Sequence, residues 1–285
     1  RFYFPKGECY ANIVIPRTYI QLEGDGLQVS KIISFDPSKP AINLNKRLYQ
    51  SLKDLTVATP YNATASIINA RDSRYISIDD VEITQLPDTA SNYTYSVSGL
   101  DMKKEAGTWT GYNYINNVKI SRCSYGIDID TNLASVCYFN NCTLAFNGYF
   151  GAKLIGVEVG GMKNCDIAGN GQLAISLNEY DETKYGGVYV KGRYFQIESC
   201  WHEYNQSKFS EAEVPNDIYI HPDSINVVEK NPRRMRSNVG SLILSESQGV
   251  QTRNAYTDTV IDSGMGQVRN QNLITNGSFK YGTSG

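Results

Sequence analysis

From Asn117 to Glu179 the chain repeats one short pattern of apolar and polar positions. Three segments align: N-V-K-I-S-R-C-S-Y-G-I-D-I-D from Asn117, N-C-T-L-A-F-N-G-Y-F-G-A-K-L-I from Asn141, and N-C-D-I-A-G-N-G-Q-L-A-I-S-L-N from Asn164, at offsets of 24 (117 to 141) and 23 (141 to 164). In each unit two short runs of alternating apolar and polar residues flank a Gly- or Asn-bearing corner, and a third run precedes the next unit. Alternation with period two marks a strand with one buried face. A period in the low twenties built from several short strands predicts an all-β fold, a parallel β-solenoid with little helix, because a single coil cannot bury its apolar face without neighbours.

Taking the residue after each corner Asn or Asp as an inward anchor gives Leu55, Val81, Val118, Cys142, Cys165 and Cys200, and a second row reads Ile68, Leu100, Ile129, Leu154, Leu177 and Ile220. The uneven intervals between rows place extra residues near 86–97, 101–112, 178–188 and 204–216. These four insertions are expected to frame one face of the solenoid.

Composition narrows the partners. A formal net charge of −2 gives no electrostatic case for nucleic acid or an anionic membrane, and no apolar run approaches the roughly 20 residues of a membrane span. The six cysteines include no C-x-x-C. Cys142, Cys165 and Cys200 fall at equivalent repeat positions and read as small apolar residues stacked inside the coils, reduced and shielded. Neither His202 nor His221 belongs to a metal-ligand pattern, so no metal or cofactor is expected. The chain opens on Arg1-Phe2-Tyr3-Phe4-Pro5, already in a strand pattern and without an initiating Met, and reads as a piece of something longer.

The run F-Y-F-P-K-G-E-C-Y followed by I-V-I-P-R-T-Y-I-Q-L-E-G-D-G-L-Q-V-S-K-I resembles the opening coils of the pectate-lyase-like right-handed β-helix superfamily, especially phage tailspike depolymerases. The likeness of pattern covers most of residues 1–246, taken as the β-helix. Residues 247–270 are read as terminal strands and linker. The closing N-L-I-T-N-G-S-F resembles the first strand of the jelly-roll modules that often follow such helices, making 271–285 the start of a truncated module.

Candidate chemistry comes from strand alternation. With Ile127 and Ile129 inside, Asp128 and Asp130 both point outward. Neighbouring outward positions, inferred coil by coil, are Asp101 above Asp128, Lys153, Ser176 and Tyr219 below it, and Asn178 and His221 below Asp130. Two carboxylates at i and i+2 within a framed groove must be solvated, neutralised by a cation, or held at different protonation states. Asp128 is expected to be the base of an inverting glycosidase and Asp130 the acid, with Lys153 holding Asp128 ionised. Glu179, in the acidic loop after Leu177, is a third catalytic candidate. The opposing strand carries Asp166, Trp201 and Glu203, where an exposed indole beside carboxylates suits sugar stacking and hydrogen bonding.

The resemblance implies a homotrimeric virion tailspike that acts at the bacterial surface, hydrolyses a capsule or O-antigen polysaccharide, and joins other tail proteins through segments outside this chain. Lys153, Asn178, Asp166, Trp201, Glu203, Tyr219 and His221 are its expected sugar-binding residues. Two alternatives stand beside hydrolysis. One is a lyase using Lys153, Tyr219 or His221 against a uronic acid, and the other is a fibre that grips host glycan without cutting it.

Overall fold

The computed structural model describes residues 1–88, 92–105, 110–177, 179, 181, 183–205, 216–230, 233–235, 242–245, 251–253 and 259–262. They form a right-handed parallel β-helix. Every paired strand among them is parallel to its partner, and the helical content is the six residues Gln172–Leu177. Coils stack with three faces around one core, the crossovers taking the right-handed sense that twisted strands favour. The first face includes Asn113–Asn116, Phe195–Glu198 and Val228–Lys230, and the second Lys119–Ser121, Thr143–Ala145, Asp166–Ala168 and Trp201–Glu203. The third face carries Ile68–Asn69, Leu100–Asp101, the front half of Ile127–Asn140, the front half of Phe150–Lys163, Gly186–Gly192 and Asn216–Ile220. Parallel pairing continues through Leu242–Ser245, Gln251–Arg253 and Thr259–Asp262.

Each coil turns at residues in the left-handed backbone region, which Asn and Asp enter more readily than most. At the first corner stand Asp54, Asp80, Asn117, Asn141, Asn164 and Ser199, with φ between 50° and 54°. The residue after each is the expected anchor, and Leu55, Val81, Val118, Cys142, Cys165 and Cys200 are all buried. The amide of Asn141 donates to Asn117 Oδ1 at 3.3 Å, so this corner is tied by side chains as well as backbone. The three stacked thiols are free and buried, and contact with Cys142 pushes the Cys165 thiol up.

The second corner holds a device that the sequence reading missed. Asn147, Asn170 and Asn205 are buried one above another. Asn147 Nδ2 donates to Asn170 Oδ1 and Asn170 Nδ2 to Asn205 Oδ1, each at 2.9 Å, while Asn205 Nδ2 reaches Asp217 Oδ1 at 3.0 Å. Every amide also serves a backbone partner, so the column satisfies its own burial. The third corner carries exposed tyrosines instead. Tyr19, Tyr49, Tyr75 and Tyr112 stack with centroids 4.7, 4.5 and 5.2 Å apart.

The second anchor row needs two corrections. Leu100 pairs with Ile127, not Ile129, while Ile129 pairs with Leu154, whose next partner is Val190. Leu177 is not a strand residue: it closes the short helix and is 58% exposed. The alternation in Gln172–Leu177 is real, but its chain turns away after Gly171. The next rung of the third face is supplied by the β-branched run around Val188 and Val190, entered where Gly186 N donates to Tyr149 O.

Candidate functional site

The third face presents two adjacent columns of outward side chains. Through the register, Asn69, Asp101, Asp128, Lys153, Tyr189 and Tyr219 form the first. The second runs through Asp130, Ile155 and Lys191 to His221, whose backbone N bonds Val190 O one coil above. Lys103 lies above Asp130, since Lys104 N donates to Asp130 O. The expected stacking of Asp101, Asp128, Lys153 and Tyr219 therefore holds, with Tyr189 in the place given to Ser176. Ser176 is an exposed helix residue whose hydroxyl donates to Leu173 O. Asn178 lies outside the described residues.

Asp128 points away from the core, as alternation demands, yet it is not solvated. Its side chain is 1% exposed, because the coil above folds over it. Lys103 Nζ stands 2.6 Å from Asp128 Oδ2, and Ser98 Oγ donates to the same oxygen at 3.1 Å. Oδ1 is buried with no hydrogen-bond partner among the described residues. The cation beside Asp128 is thus Lys103 rather than Lys153, whose ammonium sits 5.4 Å from the Tyr125 ring centroid. One coil further up, Arg71 grips Asp101 through Nε and Nη2 at 3.0 and 2.7 Å, and Lys103 N donates to Asp101 Oδ1.

These groups line a cavity of about 560 Å³, closed on one side by residues 94–97 of the first insertion with Ser98 after them, and on another by Tyr125, Tyr149 and Leu173. Tyr125 and Tyr149 stack at 5.0 Å, and burial followed by the Asp128 charge pushes the Tyr125 phenol up. Gly148 permits the wall to close: a Cβ there would meet Tyr95 Cβ at 2.7 Å and Leu173 Cδ1 at 2.9 Å.

Asp130 faces a second cavity, of about 730 Å³, with Glu158, Tyr189, Lys191, Arg193, His221 and Asp223 around it. The backbone is irregular here. The register slips between Asp130 and Ser135 and again between Ile155 and Val157, and Gly156, at φ 79°, approaches so closely that a Cβ would lie 1.6 Å from Thr131 O. Such bulges re-aim side chains. Lys191 pairs with Asp223 at 2.7 Å and holds its carboxyl below the usual range. Burial, with Tyr219, Asp130 and Asp223 nearby, pushes Tyr189 up to about 12. Tyr219 is buried behind Tyr189, their rings stacked at 5.2 Å.

The other candidates are elsewhere. Glu179 lines neither cavity; its oxygens are taken by Lys184 at 2.6 Å and the Tyr185 hydroxyl at 2.7 Å, which hold its carboxyl low. Asp166, Trp201 and Glu203 lie on the second face. Asp166 pairs in register with Trp201, and Trp201 Nε1 donates to Glu203 Oε2 at 3.1 Å. Burial, then Glu203, raises the Asp166 pKa. His202 between them is fully buried, 3.7 Å from the buried Glu229.

No family model and no curated protein matches the chain. Among solved structures it is similar to the A-module of the mannuronan C-5 epimerase AlgE4 of Azotobacter vinelandii, at 14% identity and TM-score 0.47, over 88% of this chain and 67% of that one. It is also similar to the catalytic domain of a GH87 alpha-1,3-glucanase in complex with tetrasaccharides, at 11% identity and TM-score 0.35 over 94% of this chain, and spans 62% of that domain's length. These likenesses are too low to carry a residue role or an activity across.

Proposed function

We propose that the chain is a polysaccharide-cleaving β-helix of the tailspike type, a glycosidase that lays a bacterial surface glycan along the third face and hydrolyses it with Asp128 and Asp130. The observation that carries the reading is the Asp128 carboxylate, on a residue that lines a cavity, with one oxygen fixed by Lys103 and Ser98 and the other buried without a hydrogen-bond partner among the described residues. A carboxylate oriented by a cation and a hydroxyl on one oxygen is suited to act as a base through the other. Asp130, which no Lys or Arg among the described residues contacts, takes the role of proton donor.

Outward residues at i and i+2 stand roughly 6.5–7 Å apart along a strand. That separation suits two carboxyls with a water between them and hence inversion at the anomeric carbon, which needs about 6.5–9.5 Å. The water attacks the anomeric carbon as Asp128 takes its proton, the glycosidic bond breaks, and Asp130 protonates the leaving oxygen. A glycan crossing Ile127–Asn140 from the first cavity to the second would meet both groups. In the tailspike setting the chain acts as one of three parallel copies at the virion's tail, outside the host cell.

A second reading has its own support. Tyr189, Lys191, Arg193 and His221 gather at the second cavity, groups that could neutralise a uronate and remove its α-proton. One product assay on a panel of capsules and O-antigens separates the readings. New reducing ends without the ultraviolet absorbance of an unsaturated uronate are expected. That absorbance would replace hydrolysis by elimination, and binding without fragments would leave a non-catalytic receptor fibre.

A further inference from the structure

The cavity beside Asp128 has a chemistry that selects its occupant. Its two cations are both matched, Arg71 by Asp101 at 2.7 Å and Lys103 by Asp128 at 2.6 Å. A ligand carboxylate would enter beside two buried carboxylates with no cation left to receive it, and an ammonium would have to compete with Lys103. The unmet demand is for a donor to Asp128. Asp128 Oδ1 is buried without a partner among the described residues, a condition that costs free energy unless a hydrogen-bonding ligand or water meets it.

The rest of the lining answers to the same kind of ligand. Ser66 and Ser124 bring hydroxyls that can donate or accept, and those of Thr94 and Ser96, which already donate to Tyr61 O and Ala63 O, can still accept. The faces of Tyr125 are engaged by Tyr149 and Lys153, which leaves half-buried Tyr95, carried on the first insertion, as the aromatic wall. The volume of about 560 Å³ lies within the ordinary range for a small-molecule site.

We infer that this cavity is a subsite for an uncharged sugar residue, bound through a hydroxyl that donates to Asp128 Oδ1 and packed against Tyr95, so that the glycan is neutral at this position. The inference rests on the glycan-binding part of the proposal above and names its substrate class; it does not require cleavage.

The test is binding to the intact chain, by saturation-transfer NMR and calorimetry. The probes are neutral oligosaccharides of glucose, galactose, mannose and rhamnose, set against oligosaccharides of glucuronate and galacturonate of equal length. Neutral members should bind at least about tenfold tighter than the uronates. Asp128→Leu should weaken neutral binding by about tenfold or more. Asp128→Asn should stay within a few-fold, because its amide can turn its oxygen to Lys103 and offer the sugar hydroxyl a donor. Tyr95→Ala, on an insertion rather than in the core, should weaken the same ligands and keeps the test alive if Asp128→Leu does not fold.

Preference for uronates, absence of neutral binding across the panel, or neutral binding untouched by both Asp128→Leu and Tyr95→Ala overturns the subsite. Neutral binding without any fragments keeps the subsite and removes the hydrolase.

Discussion

Asp128 and Asp130 leave the same strand on the same side, two residues apart, and enter opposite surroundings. Asp128 is sealed under the preceding coil, with Lys103 and Ser98 on one oxygen. Asp130 is half-buried, beside the bulged stretch at Gly156, in a cavity where Lys191 is already committed to Asp223. The difference lies in what the neighbouring coils add. Above Asp128 the chain takes a detour before Leu100 that closes over the face, whereas beside Asp130 the strands slip register and open it. Strand alternation sets direction, and the neighbouring insertions set solvation and charge.

The largest expected effect breaks the pair. Asp128→Asn and Asp130→Asn should each lower turnover by at least about 10²-fold while the protein still folds and still binds glycan. If one variant keeps wild-type turnover, the two carboxyls do not share a reaction, and Glu158 becomes the next partner to test beside Asp130. Removing the cation sharpens the contrast. Lys103→Met leaves Asp128 buried with only Ser98, and urea unfolding should show a loss of about 1–3 kcal/mol, below the 3–5 of a fully buried pair because the Lys103 side chain is a third exposed. The double variant Lys103→Met/Asp128→Asn should recover most of that loss; strict additivity would mean that the contact contributes nothing.

A milder change alters the wall and leaves the charges alone. Gly148→Ala should push Tyr95 and Leu173 aside and weaken glycan binding about three- to tenfold, with calorimetry as the readout. The smallest effect belongs to a carboxylate outside both cavities. Burial and Glu203 raise the Asp166 pKa. The folded state therefore favours its protonated form, and that stabilisation, full below the ordinary value, is lost as pH rises through the raised one. Asp166→Asn should then stabilise the fold at neutral pH, by no more than about 0.5 kcal/mol for a partly buried group, read as a small rise in melting temperature. The gain should vanish at acid pH. An equal gain at both pH values would assign the effect to packing instead.

Much of the fold was legible in residue types. The 23- and 24-residue offsets located the coils, and the Asn and Asp of the first corner pointed to the buried anchors that follow them. The second row failed at Leu177 because Q-L-A-I-S-L alternates like a strand and its helical turn depends on Gly171 and on neighbours not local in sequence. The Asn147–Asn170–Asn205 column left a signal in the N-G pairs 147–148 and 170–171, but an amide at a corner looks the same whether buried or exposed. Of the site, the outward stacking of Asp101, Asp128, Lys153 and Tyr219 was visible. Lys103, Arg71 and Ser98, which decide the state of Asp128 and Asp101, were not, since their contacts join residues about 25 to 30 apart across coils with insertions between them.

Sequence by itself determined that this chain winds into stacked parallel coils, which side chains follow the first corner inward, and that two carboxylates leave one strand together. Period and alternation are local properties, and each repeat carries them in full. Tertiary structure decided which carboxylate is buried, which lysine holds it, and that the two open into different cavities. Those outcomes depend on how far each insertion displaces the next coil and which side chain it lays over the face, a distance set by packing between coils and written in no single repeat.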